Sequence, residues 1–189
     1  MSSKLTSTLK NMVFSLGLIS LVAGVLLSLT YVTTKPAIES GRQAKRIASL
    51  KAVLPAFDND PIAQSYLNKE DPTTIFYPAR LNGVDVGMAV QATSSQGFSG
   101  DVILITGFTP EGKITKISVL SQKETPGLGT KMALPEFMIQ FEGKSVEKPL
   151  AVKKDGGEID AITAATISSR AAVDAVNRAA IALKKGVNP

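Results

Sequence analysis

The 189-residue chain carries 21 Lys and Arg against 16 Asp and Glu, a formal charge of +5, and has no Cys, His or Trp. Lacking Cys and His, it cannot supply the usual ligands of a zinc site, an iron–sulfur cluster, a blue-copper centre or a His-ligated haem, nor a Ser-His-Asp or Cys-His catalytic pair. Its basic residues are dispersed along the chain, so the surplus predicts no nucleic-acid binding. Any redox chemistry must come from an organic cofactor or from hard oxygen ligands; no metal site and no catalytic residue is predicted.

In chain order, residues 1–10 read as a cytoplasmic N-terminal tail holding Lys4 and Lys10. Residues 11–34 then run without a charge for 24 positions. At about 1.5 Å per residue a helix of that length crosses a hydrocarbon core of about 30 Å with some tilt. Tyr31 sits at the far interface and Lys35-Pro36 closes the span. A cleaved signal peptide is the alternative. The length of the run, and the lack of an Ala-x-Ala-like site after it, favour an uncleaved transmembrane anchor. Orientation stays open on charge alone. Lys35, Arg42, Lys45, Arg46 and Lys51 follow the span more densely than Lys4 and Lys10 precede it, yet long domains translocate against such a bias.

The remaining 155 residues, 35–189, suit one domain. Residues 35–94 are assigned to a membrane-proximal helix and the first strands, and residues 95–189 to the core. The helix covers 36–54, with Ile38, Ile47, Leu50 and Leu54 on one face, and Pro55 ends it. Four strands are predicted: Thr74–Tyr77, Val84–Gln91, Val102–Phe108 and Ile114–Leu120. Turn signals at Asn82-Gly83, Gly97-Phe98-Ser99-Gly100 and Pro110-Glu111-Gly112 separate them. A short helix follows at Leu134–Phe141, and Leu150–Val152 has the composition of a further strand. The final helix shows a buried stripe at Ser169, Val173, Val176, Ala180 and Leu183. The fold class is therefore α+β: one N-terminal transmembrane helix, then a mainly antiparallel sheet flanked by helices.

Two segments carry the chemistry. Lys123-Glu124-Thr125-Pro126-Gly127-Leu128-Gly129-Thr130-Lys131 follows a strand, and its glycines allow a flat ligand to approach the backbone. It fits neither a Walker loop nor Gly-x-Gly-x-x-Gly, and an ordinary Pro-Gly turn is the plain alternative. Asp160-Ala161-Ile162-Thr163-Ala164-Ala165-Thr166-Ile167-Ser168-Ser169-Arg170 runs into the last helix with four hydroxyls and two small side chains. A helix start of this kind is a place for a capping hydroxyl and equally a place for a phosphate. Arg170 either adds a charge-assisted bond to such an anion or faces solvent.

At these two segments the sequence resembles the FMN-binding domain family, whose best-known members are the G subunit of Rnf complexes and the C subunit of sodium-pumping NADH:quinone oxidoreductases. The family's flavinylation pattern, Asp-x-x-Ser/Thr-Gly/Ala-Ala-Thr, is met at Asp160, Thr163, Ala164, Ala165 and Thr166, with Ala164 where many members carry Gly. Its Glu-Thr-Pro-Gly-Leu-Gly loop stands intact at Glu124–Gly129. Gly97–Gly100 and Lys153-Lys154-Asp155-Gly156-Gly157 also resemble family segments.

The resemblance implies a phosphoester from the Thr166 hydroxyl to FMN, made by a separate flavin transferase from FAD and Mg²⁺. It further implies cofactor contacts from Glu124, Thr125, Gly127, Leu128, Gly129, Thr163, Ala164, Ala165, Ser168 and Ser169. By the same resemblance the chain is an electron-relay subunit of an Rnf-type ion-translocating oxidoreductase linked to ferredoxin and NAD. Its partners are then the A, B, C, D and E type subunits, the transferase and membrane lipid. It has no complete active site of its own, and its soluble domain lies on the extracytoplasmic (periplasmic) side of the inner membrane. Two alternatives stand beside this: the C subunit of the quinone reductase, and a non-catalytic anchored binding or scaffold protein whose Thr166 only caps a helix.

Overall fold

A computed structural model of the protein describes residues 8–186; Lys4 and the rest of 1–7 lie outside the described residues. The chain divides into two compact units, Met1–Ala44 and Lys45–Pro189. The first is helical over its residues 9–44. Helix α1 covers Leu9–Val53 and contains Pro36, so the separate helices expected at 11–34 and 36–54 are one element. Pro36 lacks the N–H that would bond one turn back, but the helix runs through it. Before it, the Thr30, Thr33 and Thr34 hydroxyls donate to the carbonyls of Leu26, Leu29 and Thr30 at 2.8, 2.9 and 2.8 Å. The stretch is long and apolar enough to cross a membrane.

The second unit is built on a five-stranded antiparallel meander in the order β1-β2-β3-β4-β5. The strands are β1 (Tyr66–Leu67), β2 (Ile75–Leu81), β3 (Val84–Ser94), β4 (Val102–Phe108) and β5 (Ile114–Ser121). The expected β2–β3 turn forms at Asn82-Gly83, both with positive φ, and pairs Leu81 with Val84. Strand β1 has only two residues, too short to leave a periodic signature.

Alternation along the strands sorts side chains to two faces. Phe76, Val90 and Leu104 join the larger core; their neighbours Tyr77, Ala89 and Ile105 join the smaller one. The larger core lies beneath helix α3 (Thr166–Gly186), which crosses β3 and β4. The face of α3 toward the sheet is rich in alanine, with Ala171, Ala172, Ala175 and Ala179 all essentially inaccessible. The predicted stripe of Ser169, Val173, Val176, Ala180 and Leu183 is buried along with them.

On the other face the end of α1 buries Ser49, Leu50 and Val53. Ile38 and Ile47, expected to share a face with Leu50 and Leu54, remain exposed. The Val53 carbonyl, left without an intrahelical donor, accepts the Thr115 hydroxyl of β5. Lys45 Nζ donates to the Leu120 carbonyl at 2.5 Å. This approach requires Gly107 in β4, where an added Cβ would stand 2.2 Å from the Val53 oxygen.

The region 134–141 forms α2 (Pro135–Met138) and a 3-10 turn, Ile139–Phe141. Leu150–Val152 does not join the sheet. Asn177 of α3 satisfies both backbone groups of Leu150 at 2.8 Å, and Val152 makes only an isolated bridge to Ile159. Gly107→Ala is expected to lower stability by about 1–3 kcal/mol, the scale of overpacking a close-packed contact, as read by urea unfolding followed by circular dichroism. An unchanged midpoint would show that α1 yields freely at this point.

Candidate functional site

The two chemically unusual segments meet. Glu124, Thr125, Leu128 and Gly129 form one wall of a groove of about 350 Å³, and Ala164, Ala165, Thr166, Ile167 and Ser168 form the other, with Phe98 at the rim. Small-molecule sites begin at about 300 Å³.

The wall after β5 is organised by Glu124. Its side chain is 4% exposed, and a buried carboxylate is tolerated only with hydrogen-bond donors. Ser168 Oγ donates to Oε2 at 2.6 Å and the Ser99 N–H donates to Oε1 at 3.2 Å. The carboxylate thereby joins the 97–100 turn to the first turn of α3. Space for it comes from two glycines. A Cβ on Gly129 would lie 2.4 Å from Ser168 Oγ and 2.7 Å from Glu124 Oε2, and one on Gly97 would lie 2.8 Å from Oε1.

The opposite wall is the start of α3. The Ser169 N–H donates to the Ala165 carbonyl at 3.0 Å, so Ala165 occupies the cap position and Thr166 is the first helical residue. The Thr166 hydroxyl is therefore not consumed in capping. Thr166 is half-buried as a residue, and its hydroxyl accepts a hydrogen bond from Lys154 Nζ at 3.1 Å. The amides of Thr166, Ile167 and Ser168 lie in the first turn, where a helix offers no carbonyl one turn back, and the helix dipole is positive there. Ala164 has φ +61, a left-handed conformation that glycine adopts without cost.

Not every predicted residue lines the groove. Ser169 points inward, its hydroxyl donating to the Ala165 carbonyl at 3.0 Å and accepting the Ile162 N–H at 2.9 Å. Gly127 and Thr163 are exposed outside the lining; Gly127 has φ +76 and its N–H donates to Thr130 Oγ1 at 3.0 Å, closing the turn. The Asp160 carboxylate pairs with Lys153 at 2.8 Å, and Gln140 holds its N–H at 2.6 Å. Arg170, whose role the sequence leaves open between an anion and solvent, forms a two-point pair with Asp155 at 2.7 and 2.8 Å. The Arg170 hydrogen bond holds the Asp155 carboxyl below its ordinary range and raises the guanidinium in turn.

Three residues at the groove escape assignment to the site by sequence: Phe98, Ile167 and Lys154. Phe98 has a visible sign, a phenyl between glycines in a turn, and it stands 69% exposed. Lys154 lies in a segment that resembles the family, but nothing local ties it to the site, since its contact is 12 residues away in the chain.

Residues 97–181 match the FMN-binding domain family. Over 187 residues the chain is 36% identical to the G subunit of the ion-translocating oxidoreductase complex of Aliivibrio fischeri strain MJ11, spanning 92% of this chain and 89% of that protein. It is 37% identical over 185 residues to the G subunit of the Na⁺-translocating ferredoxin:NAD⁺ oxidoreductase complex of Acetobacterium woodii, spanning 87% and 88%. Among solved structures, the C subunit of the Na⁺-translocating NADH-quinone reductase of Parabacteroides distasonis superposes with a TM-score of 0.54 at 20% identity over 69% of each chain, a likeness of fold.

Ala164→Gly removes a left-handed strain of about 1–2 kcal/mol and loses about 0.4–1 kcal/mol through a freer unfolded chain. A net stabilisation of up to about 1.5 kcal/mol is expected in thermal unfolding. A drop in melting temperature would mean that the alanine methyl makes a contact worth more than the strain.

Proposed function

Because the chain belongs to the family formed by the G subunits of ion-translocating oxidoreductase complexes, we propose that it is the flavin-carrying electron relay of a membrane-bound Rnf-type complex, with FMN joined to Thr166 by a phosphoester. The observation that carries this reading is the convergence of Phe98, Glu124–Gly129 and Ala164–Ser168 around the hydroxyl of a half-buried Thr166.

The groove suits the group at both of its ends. A phosphate is accommodated by first-turn amides, the positive helix end and a nearby ammonium. A flat aromatic ring is accommodated by Phe98, Leu128 and Ile167, which are exposed large apolar side chains gathered at one place. Ala164 and Ala165 leave the hydroxyl approachable, and Glu124 holds the opposite wall in register through Ser168. Bound FMN supplies one- or two-electron transfer to a chain with no Cys and no His of its own. The relay reading also explains why the groove needs no acid–base pair: the chain orients a carrier and leaves substrate chemistry to other subunits. A phosphoester at Thr166 would be made by a separate flavin transferase, and the other partners are the remaining subunits of the complex.

Helix α1 supports a membrane anchor by length and composition. We place the Lys45–Pro189 unit on the extracytoplasmic side, where a covalent bond keeps the cofactor from diffusing away. The chain's lack of cysteine makes this directly testable. A single Glu111→Cys, on the exposed β4–β5 turn, is expected to react with a membrane-impermeant maleimide in intact spheroplasts. Labelling only after lysis would reverse the topology.

The central test uses protein from its native membrane, run on a denaturing gel under ultraviolet light and then weighed intact. The wild type is expected to fluoresce and to be heavier by FMN less one water. Thr166→Ala is expected to be dark with a stability loss of about 1 kcal/mol or less, the scale of one exposed hydrogen bond. Thr166→Ser, which keeps the hydroxyl, is expected to be modified in part. A Thr166→Ala chain that still fluoresces would move the attachment site.

A further inference from the structure

Lys154 enters the function proposed above only as an ammonium near the phosphate, yet its surroundings are specific. It lies in the 3-10 turn Lys153–Asp155, which ends at Gly156 with φ +84. Each residue of this turn makes one tie to the other side of the site. Lys153 pairs with Asp160, Asp155 with Arg170 of α3, and Lys154 with the Thr166 hydroxyl. The Asp160 and Asp155 carboxylates thus each pair with another cation. Among the described residues Lys154 forms no ion pair, and its ammonium donates only to a neutral oxygen.

A solvated lysine gains little from a hydroxyl, and a surface ammonium ordinarily settles near a carboxylate. Here the two-pronged Asp155–Arg170 pair ties down the residue on one side of Lys154 and engages the neighbouring acid. The result is a positive charge held beside a nucleophilic oxygen, with the neighbouring Asp155 carboxylate hydrogen-bonded to Arg170 rather than to Lys154.

We propose that Lys154 is the positioning residue for covalent modification of Thr166. It holds Oγ through one lone pair, leaves the other facing the groove, and offsets the negative charge that builds on that oxygen during attack. This rests on the flavin reading above. The reaction balances as follows. The Thr166 Oγ–H bond breaks and its proton is released. An Oγ–P bond forms to the FMN phosphorus of FAD. The pyrophosphate P–O bond breaks, and AMP departs with the electron pair. The new diester carries one negative charge at the place where the ammonium already stands.

The test uses full-length protein made in cells without a flavin transferase, purified in detergent and treated with transferase, FAD and Mg²⁺. Initial rates of flavin incorporation are measured against the concentration of this chain. Lys154→Met and Lys154→Gln are expected to lower kcat about five- to tenfold, the effect of removing one charge at about 4 Å in a water-exposed setting. KM for the acceptor chain and the thermal unfolding midpoint should stay at wild-type values. Lys154→Arg should restore most of the rate. An unchanged kcat in both neutral variants overturns the proposal, as does a change confined to KM, which would make Lys154 a docking contact for the transferase. Failure of Lys154→Arg to exceed the neutral variants also overturns it. A wild-type chain left unmodified by a transferase active on another acceptor would instead overturn the flavin reading itself.

Discussion

The Glu124 carboxylate is the constraint on which the site depends. A group of this polarity is removed from water only where donors are waiting, and the donors here come from two distant stretches, the amide of Ser99 and the hydroxyl of Ser168. One side chain therefore fixes the relation of the 97–100 turn, the loop after β5 and the first turn of α3. Gly129 is a consequence of it, since a side chain there would occupy the volume of Glu124 and Ser168, whereas at Gly97 a side chain would meet the Gly100 carbonyl even before the carboxylate. Replacing Gly129 with a larger residue thus strikes the packing of the wall before it strikes anything lying in the groove.

The sheet divides the labour between its faces. Toward α3 it presents Phe76, Val90 and Leu104 against a helix lined with alanines, whose small side chains let the helix sit close and lose little rotamer entropy on burial. That close seat makes the helix start a firm platform for Thr166. Toward the end of α1 the core is smaller, and polar ties do part of the work: Thr115 to the Val53 carbonyl and Ser118 to Ser49 at 3.0 Å.

Much of this architecture was legible in the sequence because its signals are local. The β3, β4 and β5 runs are bounded by Asn82-Gly83 and Pro110-Glu111-Gly112, turn chemistry that acts within four residues. The α3 stripe repeats over about four turns and so survives any single exception. The misreadings share the opposite character. Ile38 and Ile47 have the right spacing for a buried face, but burial requires a partner surface, which periodicity does not report. Leu150–Val152 has strand composition, yet Asn177 satisfies the backbone of Leu150 before a strand can. In the site, the motif residues were legible as chemistry and their meeting was not. Ser169, three residues from Thr166, looks like a site residue on paper and Lys154, twelve residues away, does not; the fold sends Lys154 to the hydroxyl and Ser169 into the core. The left-handed Ala164 was visible only as a departure from a glycine, and the backbone supplies its reason.

The meander also sets an order of events for the newly made chain. Every strand pairs with its neighbour in sequence, so the sheet can grow hairpin by hairpin with short loop closures. The groove is different in kind. Its far wall belongs to α3, which follows all five strands and packs on β3 and β4 from a long sequence distance. Until that helix docks, Ser168 is not at Glu124 and the Thr166 hydroxyl has no opposing wall. Whatever recognises the completed groove therefore meets it only after the whole domain has folded, so assembly of the site doubles as a checkpoint on the chain that carries it.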